Sequence, residues 1–129
     1  MRHLVDAHSL IWALDDPRKL GVRSIAVLED PANELVVSAG TIWELSIKVG
    51  LGKLSLSLPF RTWIEKALVD LGFVVSPITL EVAERQMALP FHHRDPFDRL
   101  LVAQCLLEAI PIVSADSVFD RYGVGRIWE

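Results

Sequence analysis

Short apolar runs with β-branched residues return along this chain at intervals that leave room for one or two helices between them. They read as strands at residues 2–5 (RHLV), 35–38 (LVVS), 73–76 (FVVS), 111–114 (PIVS) and 124–128 (VGRIW). Helical patterns fill the intervals: Ser9 to Leu14, Val22 to Leu28, Gly40 to Val49, Phe60 to Leu71, Leu80 to Ala88, Pro96 to Ala109 and Ser117 to Arg121. Strands that alternate with helices build βαβ units, because parallel neighbours need a crossover. The expected fold is therefore α/β in three layers, a mostly parallel sheet with helices on both faces. Its 129 residues make a single domain, 1–129, long enough to bury about two-thirds of the unfolded surface. Proline and glycine punctuate the elements, as at Asp16-Pro17, Asp30-Pro31 and Leu89-Pro90, without clustering into a hinge.

That architecture dictates where chemistry can gather. In an open parallel sheet every strand-to-helix turn falls on the carboxyl edge, and a helix that feeds a strand begins on that same edge. Asp6 and Asp116 directly follow the first and fourth strands, and Asp98 lies in the first turn of the helix feeding strand four. Glu44 sits one turn into the helix after strand two, where its longer side chain can reach the same crevice. Each acid also has a structural explanation. Asp6 and Asp116 suit helix N-caps, Asp95-Pro96-Phe97-Asp98 suits a helix start, and Glu44 can pair with Lys48 four residues on.

Together the four are harder to explain structurally. Ile42, Trp43, Leu45 and Ile47 leave little room for a solvated face around Glu44, and one helix start does not need both Asp95 and Asp98. Carboxylates converging without a basic partner raise one another's pKa unless a cation neutralises them. Oxygen-only donors suit Mg²⁺ or Mn²⁺, which keep several waters and lean on substrate phosphate. The expected chemistry is metal-assisted hydrolysis of a phosphodiester.

Composition narrows the classes. With 13 Lys and Arg against 17 Asp and Glu, the net charge of −4 argues against coating nucleic acid by electrostatics alone. A metal-dependent nuclease remains open, since bound cations reverse the local field. The apolar run LLVAQCLL is broken at Gln104 and Glu108, short of the roughly 20 residues that span a bilayer. The N-terminus lacks the apolar stretch of a secretory signal, so a soluble, cytoplasmic protein with no membrane contact is expected. Cys105 reads as a core thiol. His3 and His8 have no zinc-ligand spacing. Residues Gly50 to Leu54 (GLGKL) lack both the upstream glycine and the Ser or Thr of a phosphate loop, which excludes that mode of nucleotide binding.

At the acids the chain resembles the PIN-domain ribonucleases, in particular the VapC-type toxins of bacterial toxin–antitoxin pairs. The resemblance runs nearly end to end, through LVDAHSLIWAL, VVSAGTIWELSIKVGLGKL, LPFHHRDPFDRLLVAQ and IVSADSVFDRYGV. It implies a five-stranded parallel sheet of order 3-2-1-4-5 and an acidic quartet on Asp6, Glu44, Asp98 and Asp116, both as metal ligands and as the catalytic set. Asp95 belongs to the DPFDR signature and would support the ligands or cap the helix. Ser38 and Ser114 match hydroxyl positions of the family. Ala7 stands where many relatives carry Thr, so that hydroxyl is missing. The resemblance further implies an RNA substrate, a cognate antitoxin and a homodimer, the last two consistent with an exposed apolar patch.

Beside the acids, His93 and Arg94 are candidates for contact with RNA. Arg99 should point about 100° away from Asp98 around the helix, into a surface ion pair. By count alone, most of the tryptophans at 12, 43, 63 and 128 should be core. Two rival readings remain: a catalytically inactive PIN-like binding module, and a receiver-like signalling domain, which normally needs an acidic pair after strand one where this chain has only Asp6. A phosphatase with Asp6 as nucleophile would want a second Asp two residues on, where this chain has His8.

Overall fold

The computed structural model describes residues 1–129. In chain order the elements are β1 (Arg2–Val5), α1 (Ala7–Asp15), α2 (Val22–Glu29), β2 (Glu34–Ser38), α3 (Ala39–Gly50), α4 (Phe60–Glu65), β3 (Val74–Ser76), α5 (Leu80–Met87), α6 (Pro96–Glu108), β4 (Ile112–Val113) and β5 (Arg126–Ile127). All five strands pair in parallel, in the order β3-β2-β1-β4-β5. A receiver-type sheet runs 2-1-3-4-5, so the topology leaves the signalling alternative without support.

The pleat sends alternate residues to opposite faces. Leu4 and Ile112 enter a core closed by Val82 of α5, by Leu101, Val102 and Cys105 of α6, and by Phe119. Val5 and Val113 enter the other, with Leu10 of α1, Leu45 of α3 and Trp63 of α4. The layers are helix, sheet, helix, as the alternation predicts. Cys105 is buried, and burial together with Glu108 pushes its thiol pKa up, so it stays an inert core group.

Local departures have local causes. The fourth strand contracts to Ile112–Val113: Pro111 has no N–H for the ladder and the chain bends at Ala115, although Pro111 O and Ser114 N still bond Leu4 and Ile127. The helix predicted from Phe60 to Leu71 loosens into a π-turn over Lys66–Asp70. Residues Ser117–Tyr122 form a 3₁₀ turn, which Gly123 ends at φ 75°. Of the four tryptophans only Trp63 is fully buried, while Trp43 is 62% exposed. No helix is long and apolar enough to cross a membrane.

A candidate acidic site at the carboxyl edge

β1 and β4 are neighbours with Val5 level with Val113, so the residues that follow them leave the sheet side by side. Asp6 caps α1, its Oδ1 accepting from Ser9 N at 2.9 Å. Its Oδ2 accepts from Ser114 Oγ at 2.6 Å, and Ser114 Oγ in turn accepts from Asp116 N at 3.0 Å. Asp116 Oδ1 caps the 3₁₀ turn through Val118 N at 3.0 Å. Ser114 thus ties both strand-end acids into one hydrogen-bonded unit. Asp6 is only 7% exposed, while Asp116 faces solvent.

The third acid arrives on α6. Asp95 is the N-cap of that helix, accepting from Phe97 N at 2.9 Å, with Pro96 at the first position. Asp98 follows in the first turn, and its Oδ2 lies 2.8 Å from His93 Nε2. The backbone N–H groups of Arg94 and Asp95 point at His93 Nδ1, at 3.0 and 3.4 Å. An accepting Nδ1 carries no proton, so this network assigns the hydrogen to Nε2 and makes His93 a donor to Asp98. The His93 backbone N–H donates to Tyr122 Oη, which donates to Pro90 O, both at 2.9 Å. Burial is the main cause that raises the Asp98 carboxyl to about 6. The charges of Asp95 and Asp6 add to it, and His93 opposes it.

Glu44 is 8% exposed on α3 and bonded to Lys48 Nζ at 3.0 Å. Two contacts draw α3 onto α6. A side chain at Gly40 would fall 2.3 Å from Leu100 Cδ2, so glycine permits the approach. The Trp43 ring meets Phe97 edge-on, with centroids 5.8 Å apart. Each of these rings directly precedes an acid, Glu44 in one helix and Asp98 in the other.

The structure therefore gathers Asp6, Asp98 and Asp116 through Ser114 and His93, and leaves Glu44 on Lys48. Atoms of His93, Asp98 and Asp116 lie within 4.8 Å of one another, close enough to share a cation. Because His93 Nε2 is committed as a donor, the carboxylate oxygens are the atoms left free for a cation, and His93 orients one of them. An all-oxygen donor set with a carboxyl raised by burial and by the charges of Asp95 and Asp6 fits a hard divalent cation, whose charge would favour the ionised form.

Several expectations are corrected or refined. The acids are not without basic partners, since Lys48 and His93 each hold one. Ser38 is buried and caps α3 through Gly40 N at 3.0 Å, bonding no acid. Arg94 is exposed and its side chain makes no hydrogen bond within the chain. Arg99 is not a surface ion pair; it is 3% exposed and donates to the carbonyls of Gln86, Leu89 and Pro90, with Phe91 stacked 4.2 Å from its guanidinium. Three carbonyls replace a carboxylate because the 86–90 segment folds back over α6 and turns its C=O groups toward Arg99, Gln86 O accepting from Leu89 N as well. Nothing in the local sequence marks Tyr122, whose bonds run to residues about thirty positions away.

This fold and edge cluster define a nuclease-like α/β domain, and the family model for the PIN domain matches residues 3–125. The chain belongs to the PIN domain family. It is 29% identical over 114 residues to Ribonuclease VapC22 of Mycobacterium tuberculosis, covering 88% of this chain and 85% of that protein. Among solved structures it resembles VapBC2 from Rickettsia felis bound to a promoter DNA fragment, with a TM-score of 0.76, 14% identity and full coverage of both chains. It also resembles FitAcB from Neisseria gonorrhoeae, with a TM-score of 0.60, 19% identity and coverage of 98% and 96%.

Proposed function

We propose that residues 1–129 act as one unit, a cytoplasmic, metal-dependent endoribonuclease of the VapC type and the toxin of a toxin–antitoxin pair. The observation that carries the reading is the convergence of Asp6, Asp98 and Asp116 on a PIN fold, joined by Ser114 and His93. Asp6, Asp98 and Asp116, with Glu44, would hold Mg²⁺ or Mn²⁺. Such an ion lowers the pKa of water and stabilises the leaving oxygen. His93 holds Asp98 in place through Nε2–H, and Ser114 orients Asp6 while bracing the Asp116 turn. Lys48 holds Glu44 by Oε2, so binding as a fourth ligand would use Oε1 or require Glu44 to leave that ion pair.

Two surfaces support partners. An apolar cavity of about 310 Å³ between α1 and α2, lined by Leu20, Ile25, Leu28 and Phe73, suits the apolar part of an antitoxin tail. The cavity lies toward the amino ends of β2 and β3, so an arginine or lysine further along the tail, where it crosses to the carboxyl edge, would pair with the carboxylates and displace cation and water. The exposed Trp43, Ile47, Ile78 and Leu80 suit a homodimer contact.

The test is cleavage of single-stranded RNA. EDTA should abolish it and Mg²⁺ or Mn²⁺ should restore it, whereas cleavage that persists in EDTA would overturn the metal reading. Expression alone should arrest growth, and co-expression of the small protein encoded next to it should restore growth. Expression without effect would favour a housekeeping nuclease.

A further inference from the structure

Beyond the acids and behind the His93 loop, Arg85 of α5 and Arg121 of the 3₁₀ turn line one open cleft of about 390 Å³, with Pro90 and Tyr122 between them. Both arginines are exposed, and neither makes an ion pair or a side-chain hydrogen bond within the chain. Glu81, one turn earlier on α5, does not pair with Arg85, and no carboxylate lines the cleft. Arg2, Arg18, Arg61 and Arg126 are held by carboxylates. Arg23 and Arg94 are, like Arg85 and Arg121, exposed and unpaired, but only Arg85 and Arg121 share a cleft.

The cleft is joined to the acidic site by short links. Tyr122 accepts from the backbone of His93, and His93 donates to Asp98. The 3₁₀ turn that Asp116 caps carries Arg121 five residues later, about 10 Å away at roughly 2 Å per residue. His92, exposed beside Arg94, packs edge-on against Tyr122 at 5.0 Å, and Asp120, the acid between Asp116 and Arg121 in that turn, is held by Arg126.

We propose that Arg85 and Arg121 clamp a backbone phosphate of the RNA strand flanking the bond that is cut, which deepens and rests on the nuclease reading. Guanidinium forks match phosphate oxygens bidentately and are weakly hydrated. A negatively charged protein needs such a contact to hold a polyanion before and after cleavage.

The experiment measures binding separately from turnover. Anisotropy of a labelled, mixed-sequence single-stranded RNA is titrated in Ca²⁺ at several salt concentrations, for wild type, Arg85→Gln, Arg121→Gln and the double variant. A lost phosphate contact lowers the slope of log K against log salt by about 0.7, so the double variant, which loses the one clamped phosphate, should lose about 0.7 and each single variant less. A matched pair at unpaired exposed cations elsewhere, Arg23→Gln with Lys53→Gln, should leave the slope unchanged. Arg85→Lys with Arg121→Lys should keep the slope and bind more weakly, which separates a contact from damage to the fold. A wild-type slope in the Gln double variant, or an equal loss in the control pair, overturns the clamp. If wild type cleaves RNA while the Gln double variant keeps its slope, the clamp alone fails. If wild type neither cleaves nor binds RNA, the nuclease reading fails and takes the clamp with it.

Discussion

The acids at the carboxyl edge come from two kinds of place, and the two halves are built differently. Asp6 and Asp116 leave the ends of adjacent strands, where sheet register sets their spacing and Ser114 bonds both. Glu44 and Asp98 ride on helices, where their approach depends on Gly40 meeting Leu100 and Trp43 meeting Phe97, and each is held by a basic side chain. The strand half is part of the fold's hydrogen-bond framework. The helix half can be altered without removing a backbone partner, so rate and stability should separate between the halves.

The sharpest break of that contrast is Asp98→Asn. It keeps shape and removes a ligand charge, so turnover should drop on the order of 10²–10³-fold, the scale of losing one preorganised electrostatic group. Its melting temperature at pH 8 should hold or rise, because a repelled, largely buried carboxylate is gone. Full activity in the variant would remove Asp98 from the metal site.

Ser114→Ala attacks the strand half and should lower both quantities. Removing the hydroxyl leaves Asp6 Oδ2 and Asp116 N without their partner, which costs about 1–3 kcal/mol in denaturant unfolding. Loss of ligand orientation should cost about 10- to 100-fold in rate. Loss of rate with unchanged stability would erase the distinction between the halves.

A pH titration sharpens it further. Asp98 has a folded pKa of about 6, above the unfolded value near 3.8, so the folded protein binds that proton more tightly. Its stabilising contribution is full below about pH 4 and is lost as pH rises through 6, by at most about 1.4 kcal/mol per pH unit. Unfolding of the metal-free protein between pH 4 and 7 should show this fall, and Asp98→Asn should abolish it. Mg²⁺ should offset the loss above pH 6, since the cation binds the charged form.

The smallest effect belongs to the cap. Asp95→Ala should cost about 1 kcal/mol of stability, through its bond to Phe97 N. It should lower rate far less than Asp98→Asn does. Equal rate losses at the two positions would make Asp95 a ligand.

Much of this was legible in the order of residues. Hydrophobic alternation at Leu4-Val5 and Ile112-Val113 dictates which face each side chain takes, and the strand–helix alternation dictates parallel pairing. Parallel pairing puts Asp6, Asp98 and Asp116 on one edge, because a period of two and a crossover connection leave no other arrangement. The Pro96 and Asp95 signals place the start of α6 for equally local reasons. What became of Arg99, Lys48, His93 and Tyr122 depended on packing. Arg99 turned inward because the segment between α5 and α6 folds back and offers it carbonyls nine to thirteen residues away. His93 reached Asp98 because Tyr122, from across the sheet's end, holds its backbone. Arg85 and Arg121 share a cleft only because α5 and the 3₁₀ turn pack around the same loop. Local sequence carries periodicity and capping, but contacts between segments far apart in the chain exist only once the sheet has set the distances between them.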